Sequence, residues 1–150
     1  MMEQGIPVHG FLSESIWDKG QPMGYDLYNL ENKKSIPFIR KDGEENWEKI
    51  GAYFFLPSGL DEAKRIISSH SPKKWLFVDE IGPLELSEKG LWPALKHSLT
   101  VPTLRIICVV RTQILDDFLT RINNPDIHIF DVRMDNVFSL ILEKLTSMEK

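Results

Sequence analysis

Leu104 to Val110 reads LRIICVV, a run that is apolar on both faces except at Arg105. A strand of alternating polarity can turn one face to water, whereas a run like this one is expected to be covered on both, as in a parallel sheet between helices. Trp75-Leu76-Phe77-Val78 is a shorter run of the same kind and ends in Asp79-Glu80. Segments of helical period alternate with these runs. Leu60, Ala63, Ile66 and Ile67 share one face of a helix with Ser58 as N-cap and Asp61 and Glu62 near its positive end. A second helix, from about Leu91 to Leu99, tolerates Pro93 only in its first turn. A third begins at Thr112, buries Ile114, Leu115, Phe118, Leu119 and Ile122, and stops at Asn123-Asn124-Pro125. Ile127 to Phe130 predicts a last short strand, and Asp135 caps a final helix with Val137, Phe138, Ile141, Leu142 and Leu145 inward. Such alternation predicts an α/β domain whose sheet is mainly parallel, with helices on both faces.

The front of the chain is less regular. Met23 to Leu30 and Ser35 to Arg40 read as a β-hairpin joined at Glu31-Asn32-Lys33-Lys34. The acidic loop Asp42 to Asn46 precedes an aromatic strand-like run, Ala52 to Leu56. A length of 150 residues fits one domain, taken as residues 1–150.

Composition narrows the class. With 18 basic and 22 acidic residues the net charge is -4, and no basic stripe is present to displace counterions from a duplex, so nucleic acid is not expected as a ligand. The single cysteine, Cys108, excludes an intrachain disulfide and fits a reducing compartment. No apolar run approaches the roughly 20 residues that span a bilayer, so no membrane is expected. Met1 to Leu12 has Glu3 where a signal peptide carries positive charge. A cytoplasmic location is therefore expected.

In open α/β sheets, ligands bind beyond the carboxyl ends of the strands. The residues there are Asp79-Glu80, Arg111 and Asp131 to Arg133. Four apolar residues followed by Asp-Glu have the form of a Walker B element, in which the aspartate organises Mg2+ and the neighbouring carboxylate polarises an attacking water. An acidic pair where a strand meets solvent is the plainer alternative. Such an element works beside a glycine-lysine phosphate loop, yet none of the nine glycines is followed by lysine. Losing three charge-assisted hydrogen bonds, at roughly 1.5 to 3 kcal/mol each, weakens nucleotide binding by about three orders of magnitude or more. His9, His70, His97 and His128 lack ligand spacing. Cys108 reads as a small buried hydrophobe. Trp17, Trp47, Trp75 and Trp92 read as packing or interface residues. Arg111 either faces a ligand or neutralises Asp116 or Asp117.

The segment Val78 to Leu86, VDEIGPLEL, resembles the signature of the small single-domain P-loop enzymes of the cancer-related nucleoside-triphosphatase family. Gly10-Phe11-Leu12-Ser13, Gly20, Gly24-Tyr25 and Gly51-x-Tyr53 are similar to further elements of that family, and the likeness runs over roughly residues 6 to 145. It implies a P-loop NTPase fold that hydrolyses nucleoside triphosphates with Mg2+. By the same resemblance Asp79 is the metal-organising residue, Glu80 the general base, Arg111 a stabiliser of phosphate charge, and Asn136 part of the nucleotide site. Family members begin with a strand, the P-loop and a helix, and this sequence matches from the point after them. Basic residues of the family are replaced here by Trp17, Pro22, Ala52 and Val137. Two readings follow: a nucleoside-triphosphatase domain without its phosphate-binding segment, inactive alone, or a degenerate relative kept for interaction or regulation. Without the first strand, two unpaired strand edges are expected to flank a gap, to be covered by a rearranged sheet, a second copy or a partner chain.

Overall fold

A computed structural model describes residues 5–69 and 71–148. The order of elements is β1 (Val8–Asp18), β2 (Gln21–Asn29), β3 (Lys34–Arg40), β4 (Lys49–Ile50), β5 (Tyr53–Phe55), α1 (Pro57–Ser68), β6 (Trp75–Ile81), α2 (Pro83–Leu86), α3 (Trp92–Leu99), β7 (Arg105–Val110), α4 (Leu115–Ile122) and α5 (Val137–Ser147). The strands form one seven-stranded sheet in the order β4-β5-β3-β2-β1-β6-β7.

The α/β expectation holds, but the sheet is mixed. Only β1–β6 and β6–β7 pair in parallel, while β1–β2, β2–β3, β3–β5 and β4–β5 are antiparallel. Connections account for part of this. β6 and β7 are joined by a helical crossover through α2 and α3, which brings the chain back parallel, whereas the short turns of β1–β2, β2–β3 and β4–β5 return it antiparallel; β1 and β6 pair across the whole stretch from β2 to α1. The predicted hairpin is present as β2 and β3. Its larger neighbour, the 11-residue β1, lies in a part of the sequence with no clear strand pattern. Asp18 pairs with Gln21 across a two-residue turn. Both turn residues, Lys19 (φ 46°) and Gly20 (φ 77°), have positive φ, as the hairpin twist requires.

Alternate residues of the parallel strands face two cores. Leu76, Val78, Ile106, Cys108 and Val110 pack in the large core with α1, α3 and α4. Trp75 and Ile107 point the other way, to Ile141, Leu142 and Leu145 of α5. Helices thus cover both faces, as expected.

Two expectations at the far end of the sheet fail together. All six residues of β7 are only half-buried, because β7 is the last strand, and Ile127 to Phe130 form no strand. A short strand is held by its ladder, and this segment pairs with no neighbour; Ile129 is 57% exposed. Among the described residues no gap flanked by two strand edges opens within the sheet; its outer strands are β4 and β7. The caps also shift. Pro57 opens α1 with Leu56 as N-cap, not Ser58, and Asn136 rather than Asp135 takes the N-cap of α5. Thr112 opens a 3₁₀ turn ahead of α4. Phe138, expected inward, is 56% exposed. Among the described residues no helix is long and apolar enough to cross a membrane.

The parallel β1–β6 pair depends on Gly10. Its φ is +123°, and a Cβ there would lie 2.0 Å from the carbonyl oxygen of Phe77. Gly10→Ala combines a strained dihedral with overpacking against backbone, each costing about 1–3 kcal/mol. Denaturant unfolding should show a loss of about 3 kcal/mol or more, and a loss below 1 kcal/mol would refute this account.

Candidate functional site

The carboxyl end of β6 carries the candidate chemistry. Asp79 pairs with Val109 and Ile81 with Val110, so Glu80 is the extra residue of a register break, the kind of irregularity that re-aims a side chain. The Asp79–Glu80 peptide is cis. Asp79 is half-buried, and its Oδ2 accepts a 2.9 Å hydrogen bond from the amide of Ser13 on β1. The Ser13 hydroxyl donates in turn to the Asp79 carbonyl at 2.9 Å. Burial pushes the Asp79 carboxyl above its ordinary range, with the adjacent Glu80 charge adding to the rise and the Ser13 amide opposing it. An ionised Asp79 is thus short of positive charge, the condition a cation relieves.

Arg111 leaves β7 beside this pair. Its amide donates to the Ile81 carbonyl at 3.1 Å, and its Nε donates to Glu80 Oε1 at 2.9 Å. The partner of Arg111 is therefore Glu80, not Asp116 or Asp117. The two side chains are 43% and 34% exposed, so solvent screens the pair and a competing anion can displace it at small cost.

Glu80, Arg111 and Ser13 line a cleft of about 550 Å³ with Tyr25, Tyr53 and Lys49 on its other walls. Asn136 stands apart: it is exposed at the start of α5, makes no capping hydrogen bond through its side chain, and does not line the cleft. Of the four positions where the resemblance implies lost basic residues, Ala52 alone borders the cleft. Trp17 and Pro22 face each other across the β1–β2 hairpin, and Val137 opens α5.

Glu85 was not singled out from sequence. It is 1% exposed, and its carboxylate accepts from Gly82 N at 2.9 Å and Leu91 N at 3.0 Å. It thereby folds the segment after β6 back into the wall of the cleft. Only the return of a second glutamate six residues after Asp79 hinted at it. Cys108, half-buried on β7, packs against the large core, and burial pushes its thiol up to about 12. His9 is buried, His97 and His128 are exposed, and His70 lies outside the described residues. Among the described residues no group of three or more His, Cys, Asp or Glu is placed to hold a metal. Asp79 and Glu80 still fit Mg2+ of the kind that keeps its waters and arrives with phosphates, since one or two carboxylates suffice for it.

The mixed α/β sheet with helices on both faces has a P-loop NTPase-like fold. A family model described as NTPase matches residues 1–145. The chain belongs to that nucleoside-triphosphatase family. Nucleoside-triphosphatase THEP1 of Hyperthermus butylicus is 26% identical over 61% of this chain and 49% of its own length. The THEP1 protein of Sulfurisphaera tokodaii is 26% identical over 76% and 66%. The cancer-related nucleoside-triphosphatase homolog of Mus musculus is 24% identical over 94% and 80%. The match therefore spans about half to two thirds of the two THEP1 relatives. The crystal structure of THEP1 from Aquifex aeolicus shares the fold, with a TM-score of 0.72 at 19% identity over 98% of this chain and 86% of that one.

Two outcomes follow. A raised carboxyl pKa means the folded state binds the proton more tightly, so Asp79 destabilises the fold once pH exceeds its unfolded pKa, fully so above its folded one. Asp79→Asn keeps an acceptor for Ser13 and removes that penalty. Its thermal midpoint at pH 7 should exceed that of the parent, with the gain shrinking as pH falls toward the ordinary carboxylate range and gone below it; a lower midpoint at pH 7 would contradict this. Glu85→Ala strands two buried amides and opens a cavity, and should cost about 3–5 kcal/mol in urea unfolding. A cost under 1 kcal/mol would remove Glu85 from its assigned part.

Proposed function

We propose that this chain supplies the metal-organising and water-orienting half of a nucleoside-triphosphatase site, and that alone it turns over negligible nucleotide. The observation that carries the reading is the convergence of Asp79, Glu80 and Arg111 where β6 and β7 end, with Arg111 Nε 2.9 Å from Glu80 Oε1. Magnesium, when it enters with a triphosphate, supplies charge neutralisation at the phosphate oxygens. Asp79 would hold the hydrated ion. Glu80 orients a water and takes its proton through the carboxylate oxygen that Arg111 does not use. The terminal amino groups of Arg111 then meet the charge that develops on the transferred phosphoryl group.

Positioned charge is most of what phosphoryl transfer asks of a protein, and the glycine-lysine cradle that would position the phosphates is absent from these 150 residues. A second reading, a non-catalytic interaction or regulatory module, draws on the same ion pair, because Glu80 and Arg111 neutralise each other. Phosphate release from Mg-ATP or Mg-GTP should stay at background for the chain and for Glu80→Gln alike. Turnover by the parent that Glu80→Gln abolishes would overturn the inactivity. Binding separates the two readings: weak triphosphate binding that Mg2+ strengthens, and that loses this dependence in Asp79→Asn, supports the half-site, whereas binding indifferent to Mg2+ supports the module.

A further inference from the structure

The cleft beside Glu80 has walls that a triphosphate chain does not call for. Its volume, about 550 Å³, lies within the roughly 300–1,000 Å³ typical of small-molecule sites. Phe38 and Phe55, 1% and 4% exposed, form its floor. Tyr25 and Tyr53 stand edge-to-face at 6.1 Å in its wall. Rings in this arrangement accept a further ring edge-on or offset, with centroids about 4.5–7 Å apart.

The charged residues on the lining are Arg111, Lys49 and Glu80; the Lys49 ammonium lies over the Phe54 ring, 5.3 Å from its centroid, so Arg111 is the cation that faces the cleft beside Glu80. Arg111 gives Glu80 only its Nε, and its terminal amino groups make no other bond among the described residues. The free edge of a planar guanidinium suits an anion of several oxygens, phosphate before others. An apolar aromatic cavity with one cationic margin recognises a flat ring at one end and a phosphate at the other.

We propose that this cleft binds a phosphate monoester of a planar heteroaromatic compound, of mononucleotide size, with the ring against Tyr25 and Tyr53 and the phosphate on the terminal amino groups of Arg111. It rests on the preceding reading only in sharing Glu80 and Arg111. Ring and phosphate binding here needs neither magnesium nor a triphosphate.

The test titrates the full chain with adenosine monophosphate, adenosine or inorganic phosphate, without Mg2+ and without triphosphate, by calorimetry and by amide NMR shifts. Adenosine monophosphate should shift amides around Tyr25, Ile39, Gly51 to Tyr53 and Arg111. It should bind roughly tenfold or more tightly than either fragment. Arg111→Gln should weaken the monophosphate roughly tenfold and leave adenosine unchanged. Ala52→Trp places a large side chain on the cleft from an exposed position and should remove both, with circular dichroism reporting the fold. Tyr53→Leu, a milder change, should weaken adenosine and its monophosphate alike by several-fold. Monophosphate affinity unchanged in folded Ala52→Trp or in Tyr53→Leu would overturn the proposal. Shifts mapping to another surface, or inorganic phosphate binding as tightly as the monophosphate, would do the same. Because no triphosphate is present, a failure of the hydrolysis reading leaves these results untouched.

Discussion

The arrangement of this domain depends on a contact that involves no side chain, the close approach of Gly10 to the backbone of Phe77. The parallel register Val8↔Trp75 to Phe11↔Val78 exists only where the two backbones can lie that near. From that register the chain runs two residues past Phe11 to Ser13, whose amide and hydroxyl then meet Asp79. The carboxylate at the end of β6 is thus oriented by a glycine three residues upstream of its partner, on the neighbouring strand. Antiparallel strands on one side of β1 and parallel ones on the other make it the hinge between two topologies. The cleft opens along that line.

Electrostatics in the site are unbalanced by design of position rather than by composition. Burial and a neighbouring carboxylate both oppose the charge on Asp79, while Glu85, more deeply buried, is held by two amides that lower the cost of its charge without cancelling it. Arg111 answers Glu80 with one nitrogen. The region therefore contains unused carboxylate oxygens and unused guanidinium donors side by side. This is a polar arrangement suited to a ligand that brings both a cation and an anion, and the wall beside it is aromatic and uncharged at Tyr25 and Tyr53.

Much of this was legible in the sequence, and the failures share a cause. The apolar runs at Trp75 to Val78 and Leu104 to Val110, the faces of α1 and α4, the extent of α3, and the stop at Asn123, whose φ of 48° is left-handed, follow from local pattern. The pairing of Asp79, Glu80 and Arg111 at one sheet end followed from the rule that strands deliver their last residues to the site. What pattern missed was partnership. Ile127 to Phe130 has strand composition and no strand to join, so tertiary context overrode propensity. The sequence of β7 asks for cover on both faces, yet its place at the sheet margin leaves it half-exposed. Conversely β1, diluted by Gly10, Ser13 and Ser15, becomes a long strand because it has neighbours on both sides. Ser13 and Glu85 stand inside quoted segments, yet their parts escaped notice because each acts through backbone amides or carbonyls, which motif letters do not show.

The link between Ser13 and Asp79 joins residues 66 positions apart. Closing a loop of that size is entropically costly before any contact repays it, whereas the β1–β2 hairpin closes locally. In folding order, then, the hairpin can assemble early, but the oriented carboxylate comes into being only when α1 has folded back and β6 has docked on β1. A partly assembled chain holds Asp79 in water, with an ordinary pKa and no fixed direction. The chemistry assigned to that residue is in this sense a property of the finished sheet, and none of it is carried by the VDEIGPLEL segment alone.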